Sequence, residues 1–140
     1  MTELIYSTNN FSDSVLKRAN NFILNLVGDN RLDCSKKEVY PVLSISPQSC
    51  SKYQLWAIRF NDNFSKYYEP NSGYNLYNVW LLSIIADYRE NNRSRLDAQF
   101  VEEILKPNLP FYSVNPAQNH TSFLEAFNHA VNNIIRSSKA

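Results

Sequence analysis

Apolar residues recur at helical spacing in residues 11–28. If these residues form a helix, the apolar side chains occupy one face and polar side chains occupy the other. The apolar face consists of Val15, Leu16, Ala19, Phe22, Ile23, Leu26 and Val27. Ser12 suits an N-cap, Phe11 and Leu16 suit a hydrophobic staple, and Gly28 can adopt the left-handed conformation that ends a helix. The pattern predicts an amphipathic helix over these residues.

The next two segments alternate with a period of two. In residues 39–46, Val39, Pro41, Leu43 and Ile45 form one apolar face, and Pro41, which lacks an amide hydrogen, favours an edge strand or a bulge. Residues 53–60 are apolar on both faces, which is typical of a central strand. We therefore predict two strands here, with residues 3–6 as a candidate for another strand of the same sheet.

Three further helices are predicted in the second half of the chain. Residues 75–90 are apolar over most of the helical wheel, so this helix should be central and buried on most sides. Residues 94–107 begin with a potential cap, Ser94, and end at Pro107. The inward-facing residues of this helix are Leu96, Phe100, Val101, Ile104 and Leu105. Residues 108–119 read as a loop or a short edge strand.

The last predicted helix begins at Thr121. Its apolar stripe consists of Phe123, Leu124, Phe127, Val131, Ile134 and Ile135. Arg136 and Lys139 stand where they would complement the negative end of the helix dipole.

Together these elements predict an α+β fold, in which a small antiparallel sheet of two to four strands packs against about four helices. The length of 140 residues and the hydrophobic fraction of 44% suit one core. We therefore expect residues 1–140 to form a single globular domain.

The net charge and the apolar segments indicate in which part of the cell the protein is expected. A formal net charge of +1 gives no global field that would attract nucleic acid or an anionic membrane. The amino-terminal residues lack the basic start and apolar run of a secretion signal. The most apolar stretch, residues 79–88, is about half as long as a membrane-spanning helix. We expect a soluble, cytoplasmic protein with free thiols.

The glycine content argues against several common enzyme classes. Gly28 and Gly73 are the two glycines of the whole chain. Nucleotide-binding loops and the serine-hydrolase elbow each need several glycines for close backbone approach. These classes are therefore disfavoured, and no cofactor is expected.

Cysteine and histidine residues provide the remaining candidates for catalysis or metal binding. The spacing of Cys34, Cys50, His120 and His129 matches no structural zinc pattern, so no metal site is predicted. Glu125 and His129 are four residues apart and would point the same way on a helix. A small enzyme that uses Cys50, or Glu125 with His129, is one hypothesis, but solvated side chains and unreactive thiols are the preferred explanation of these residues.

Two clusters suggest binding surfaces. Residues 60–80 combine Tyr67, Tyr68, Tyr74 and Tyr77 with Asn, Ser and Gly, and this mixture is typical of binding loops. The alternative is that these tyrosines belong to the core.

The second cluster is basic. Residues 87–95 place Arg89, Arg93 and Arg95 beside Tyr88, and such groups bind phosphates and stack on bases. Salt bridges to neighbouring carboxylates would account for the same arginines.

Our leading hypothesis is a non-catalytic protein-interaction domain: a small regulator, an inhibitor or immunity-type partner, or a subunit of a larger complex. It would act through the Tyr/Asn-rich surface. The alternatives are an accessory subunit that binds single-stranded nucleic acid through the arginine cluster, and a small enzyme with a Cys/His or Glu/His site.

Overall fold

The computed structural model describes residues 14–68 and 73–112. The predicted strand at residues 3–6 and the predicted helix from Thr121 lie outside this part of the chain. The described residues are mostly helical and carry one small antiparallel sheet, which gives an α+β fold rich in helix. No helix among them is long and apolar enough to cross a membrane.

The first helix, α1 (Val15–Gly28), confirms the prediction from helical spacing. Its N-cap is Ser14 and not Ser12 as predicted, and the Ser14 Oγ accepts a hydrogen bond from the Lys17 backbone N–H at 3.1 Å. Its buried side chains are Val15, Ala19, Ile23 and Leu26. The left-handed residue after the helix is Asn30, with φ 59°, and not Gly28 as predicted.

Both segments predicted as strands are helices. The first is α2 (Lys36–Leu43), which begins with a capping box. The Ser35 Oγ accepts from the Glu38 N–H at 3.3 Å, and the Glu38 carboxylate accepts from the Ser35 N–H at 2.8 Å. Val39 and Leu43, four residues apart, are buried, whereas Pro41 is exposed within the helix. The observed period is therefore helical.

The second is α3 (Pro47–Phe60). Ser46 caps it by accepting from the Ser49 N–H at 3.1 Å, and Pro47 is its first residue, where a missing amide hydrogen has little cost. Cys50, Tyr53 and Ala57 are buried at spacings of three and four. Apolar residues at both odd and even positions also fit a helix with one buried face, and the N-cap at Ser46 favours the helix.

Two short strands form the sheet, at positions that the sequence pattern did not indicate. β1 (Asp33–Cys34) pairs antiparallel with β2 (Tyr74–Asn75), and Cys34 stands opposite Tyr74. Gly73 precedes β2 with φ 82°, and a Cβ there would overlap the Cys34 carbonyl oxygen.

The central helix is α5 (Leu76–Glu90), and every residue from 76 to 86 is buried. This confirms the prediction of a helix covered on most sides. It contacts α1 and α3, and also the short helix α4 (Asp62–Tyr67), in a segment predicted as a loop. The core of the described chain therefore surrounds α5.

The helix predicted over residues 94–107 begins later, ends later and is less regular than predicted. It starts as α6 (Asp97–Phe100), passes through a π turn (Val101–Leu105) and ends as α7 (Lys106–Asn108), so it continues beyond the predicted stop at Pro107. Phe100, Val101 and Leu105 face the core as predicted. Leu96 does not, because it precedes the helix in an extended conformation and is 74% exposed.

Candidate protein-binding surface

Tyr74 and Tyr77, two of the tyrosines predicted to bind a partner, belong to the core. They are 1% and 4% exposed. The Tyr74 hydroxyl donates to Gln54 Oε1 at 2.7 Å and lies 3.3 Å from Cys50 Sγ. The Tyr77 hydroxyl lies 2.9 Å from Asn61 Oδ1. Because both rings are enclosed and both hydroxyls are engaged, these two residues do not present a surface to a partner.

Tyr68 is half-buried beside the same core. Its ring lies 5.7 Å from that of Phe64 and 5.8 Å from that of Tyr74, measured between centroids. Lys36 Nζ donates to its hydroxyl at 2.9 Å. Tyr67 is the last residue of α4, and its binding role stays a prediction.

The side chain of Arg89, in the predicted nucleic-acid site, forms hydrogen bonds that stabilise the turn between α5 and α6. Its guanidinium donates to the carbonyls of Asn92 (3.1 Å) and Arg95 (3.0 Å) and to Asp97 Oδ1 (3.1 Å). It also lies 4.8 Å from the centre of the Phe100 ring. A phosphate would have to displace these internal contacts.

The other two arginines have carboxylate neighbours. Arg95 forms an ion pair with Glu103. Arg93 is 78% exposed, and its guanidinium lies 3.7 Å from the Glu90 carboxylate. Local salt bridges therefore account for much of the cluster, as the alternative reading anticipated.

Tyr88 is half-buried, and its hydroxyl shares a 2.8 Å hydrogen bond with that of Tyr112. Of the four residues proposed to hold nucleic acid, Arg93 is thus the most accessible. Nucleic-acid binding stays a prediction that these contacts do not favour.

The two thiols lack the environment of a nucleophile. Cys34 and Cys50 are buried, at 3% and 1% exposure. Burial raises the pKa of the Cys34 thiol to about 12 and raises that of the Cys50 thiol as well. Both therefore remain protonated at neutral pH, in keeping with a structural role.

No group of three His, Cys, Asp or Glu side chains within residues 14–68 and 73–112 is arranged to hold a metal ion. Glu125, His120 and His129 lie outside these residues, so the predicted Glu/His site is not described.

The outer face of α3 carries apolar residues that core packing does not explain. Leu55 is 65% exposed and Ile58 is 36% exposed, and they lie three residues apart on the side opposite Tyr53 and Ala57. Ser51 is exposed on the same face. A helix that buries one side so fully ordinarily carries polar residues on the other.

The side of α3 that carries Lys52 and Trp56 contacts α6. Lys52 Nζ donates to Asp97 Oδ2 at 2.8 Å, and the ring of Trp56 lies 5.6 Å from that of Phe100. Leu96 immediately precedes Asp97 and is 74% exposed. We call Leu55 and Ile58 the α3 patch, and half-buried Trp56 lies on α3 beside it.

Sequence reasoning missed the α3 patch because it assigned Leu55 and Ile58 to opposite faces of a strand. The signal that would have revealed it is the cap formed by Ser46 and Pro47. On a helix that starts there, Leu55 and Ile58 share the face that points away from Tyr53.

No protein-family model, curated protein or solved structure matches this chain.

Proposed function

We propose that this chain is a non-catalytic protein-interaction domain that recognises its partner through the α3 patch. The observation that carries the proposal is the 65% exposure of Leu55 on a helix whose opposite face is fully packed. Exposed leucines scattered singly need no explanation, but an apolar group next to a half-buried tryptophan is typical of an interface. Because Tyr74 and Tyr77 are buried, we assign the recognition surface to α3 and not to the tyrosine-rich segment.

The border of the α3 patch indicates the chemistry of the partner. Arg59 is exposed on α3, and its guanidinium lies 4.9 Å from the Phe60 ring centre. Within the described residues, Arg59 forms no ion pair with a carboxylate. Lys52, by contrast, is already paired with Asp97. A partner that offers apolar side chains and a carboxylate for Arg59 would complement this surface.

A photo-crosslinking amino acid placed at position 55 in the source cell tests the proposal. We expect a discrete adduct with another protein, because the side chain at 55 would lie inside the interface. Leu24, 44% exposed, is the matched control position, since it lies on a different helix, and α1 and α3 each pack against α5. Failure to form any adduct at 55, or the same adducts at 55 and 24, would count against the α3 patch as the recognition surface.

A further inference from the structure

A hollow of about 560 Å³ opens to solvent beside the two-stranded sheet. It is lined by Asp33 and Cys34 of β1, by Ser35 and Lys36 at the start of α2, and by Gly73 before β2. This volume lies within the usual range for small-molecule sites, which is about 300 to 1,000 Å³. We call it the β1–α2 hollow.

The lining of the β1–α2 hollow is held in place by contacts within the protein. Cys34 pairs with Tyr74 across the sheet. The Arg31 guanidinium donates two hydrogen bonds, of 3.1 and 3.0 Å, to the Glu38 carboxylate, which also accepts from the Ser35 N–H at 2.8 Å. A site that is already formed costs little ordering entropy when a ligand binds.

Two opposite charges in the lining have no charged partner. Arg31 and Glu38 form an ion pair and neutralise each other. Within residues 14–68 and 73–112, neither Lys36 nor Asp33 forms an ion pair, and the two lie beyond ion-pair distance of each other. The β1–α2 hollow therefore offers one ammonium group and one carboxylate to a ligand.

Neutral groups fix the position of the Lys36 ammonium. Its Nζ donates to the Tyr68 hydroxyl at 2.9 Å and lies 5.4 Å from the ring centres of both Tyr68 and Tyr74. An ammonium has three N–H donors, so two are left for a ligand. The Ser35 Oγ accepts from the Glu38 N–H and keeps its own hydrogen to donate. The cationic side of the hollow is thus suited to a carboxylate.

We propose that the β1–α2 hollow binds a small zwitterion of the amino acid class, with its ammonium on Asp33 and its carboxylate on Lys36 and Ser35. A simple anion would meet the Asp33 carboxylate, and a simple cation would meet Lys36, so a ligand that carries both charges complements the site best. This inference goes beyond the proposed function and does not depend on it, because the α3 patch lies on another helix.

Binding of ω-amino acids to the purified full chain tests the proposal. The series from glycine to 6-aminohexanoate varies the separation of ammonium and carboxylate, and amide chemical shifts of the ¹⁵N-labelled protein report where each compound binds. We expect saturable shifts centred on residues 33–38, with one length preferred. The carboxylic acid and the amine of that length should each bind about tenfold more weakly or worse, because each lacks one charged hydrogen-bonding group.

The proposal is wrong if no member of the series gives saturable shifts, if the shifts centre on another part of the chain, or if the simple acid or amine binds as tightly.

Substitutions at the two charges give a second readout. Asp33→Asn, at an exposed side chain, and Lys36→Met should each lower the affinity for the preferred ω-amino acid by about tenfold or more. Lys37→Met is the matched control, since Lys37 is exposed and does not line the hollow, and it should leave the affinity unchanged. Unchanged affinity for Asp33→Asn, or an equal loss for Lys37→Met, would overturn the assignment.

Discussion

The side chain of Asn61 joins three segments of the chain. Its Oδ1 accepts from the Phe64 N–H at 3.0 Å, which caps α4, and lies 2.9 Å from the Tyr77 hydroxyl. Its amide donates to the carbonyls of Leu109 and Tyr112. Because Asn61 is 3% exposed, these groups would have no water to replace a lost partner.

We expect Asn61→Ala to lower the free energy of unfolding by about 3 kcal/mol, from one lost cap and the buried polar groups left unpaired. Urea unfolding followed by circular dichroism measures this change. Asn63→Ala, at a half-buried position in the first turn of α4, is the matched control and should cost much less. Equal losses for the two variants would show that the Asn61 contacts contribute little.

Glu38 links stability to pH. Hydrogen bonds from the Arg31 guanidinium and the Ser35 backbone hold the pKa of its carboxyl at about 2, below the ordinary 4.5. A carboxyl with a lower pKa in the folded state favours folding above its unfolded pKa, and this contribution is lost as the pH falls toward the folded value. The relevant window therefore runs from pH 4.5 down to 2.

Glu38→Gln should consequently be less stable than the parent chain above pH 4.5, and the difference should shrink as the pH approaches 2. Urea midpoints across this range measure it. Glu102→Gln, on the exposed surface near Lys106, is the control and should change stability little. A difference for Glu38→Gln that stays constant with pH would contradict the assigned cause.

At the scale of elements, alanine substitutions at the two glycines should have opposite effects on stability. Gly73→Ala should destabilise the β1–β2 pair by about 2 kcal/mol or more, because φ is positive and the new methyl group meets the Cys34 carbonyl. Gly28→Ala, with open space around the added Cβ, should be neutral or stabilising by up to about 1 kcal/mol. Thermal unfolding of both variants checks this contrast, and similar shifts for the two would refute it.

Prediction from sequence succeeded where a helix carries a broad or uninterrupted apolar stripe. The stripe of α1 and the nearly complete apolar surface of α5 each fit a helix and do not fit a strand. It failed for α2 and α3, whose apolar residues also fit a period of two, and for which the capping residues Ser35 and Ser46 are the local signal of a helix. The strands β1 and β2 have two residues each, which is too short to leave a pattern.

At the scale of the whole molecule, burial around α5 explains why Tyr74 and Tyr77 do not belong to an open surface. Trp80 is fully buried on α5, and Phe64 and Tyr74 are buried with it. Composition alone does not separate buried from exposed tyrosines, because both kinds occur beside Asn and Ser. Whether a residue faces α5 depends on contacts between distant segments, such as the Asn61–Tyr112 hydrogen bond, which no local pattern encodes.

The outer face of α3 does not take part in this packing. Leu55 contributes little to the core, so Leu55→Asp should change the free energy of unfolding by no more than about 0.5 kcal/mol. The same substitution in the centre of an interface commonly costs about 1.4 kcal/mol of binding energy or more, which is at least about tenfold in affinity.

The most direct measurement is therefore the affinity of the partner captured at position 55 for the parent chain, for Leu55→Asp and for Leu24→Asp, with the melting temperature of each. The account predicts similar melting temperatures, loss of binding by Leu55→Asp of about tenfold or more, and unchanged binding by Leu24→Asp. Equal affinities for the parent chain and Leu55→Asp would contradict the α3 patch as the recognition surface.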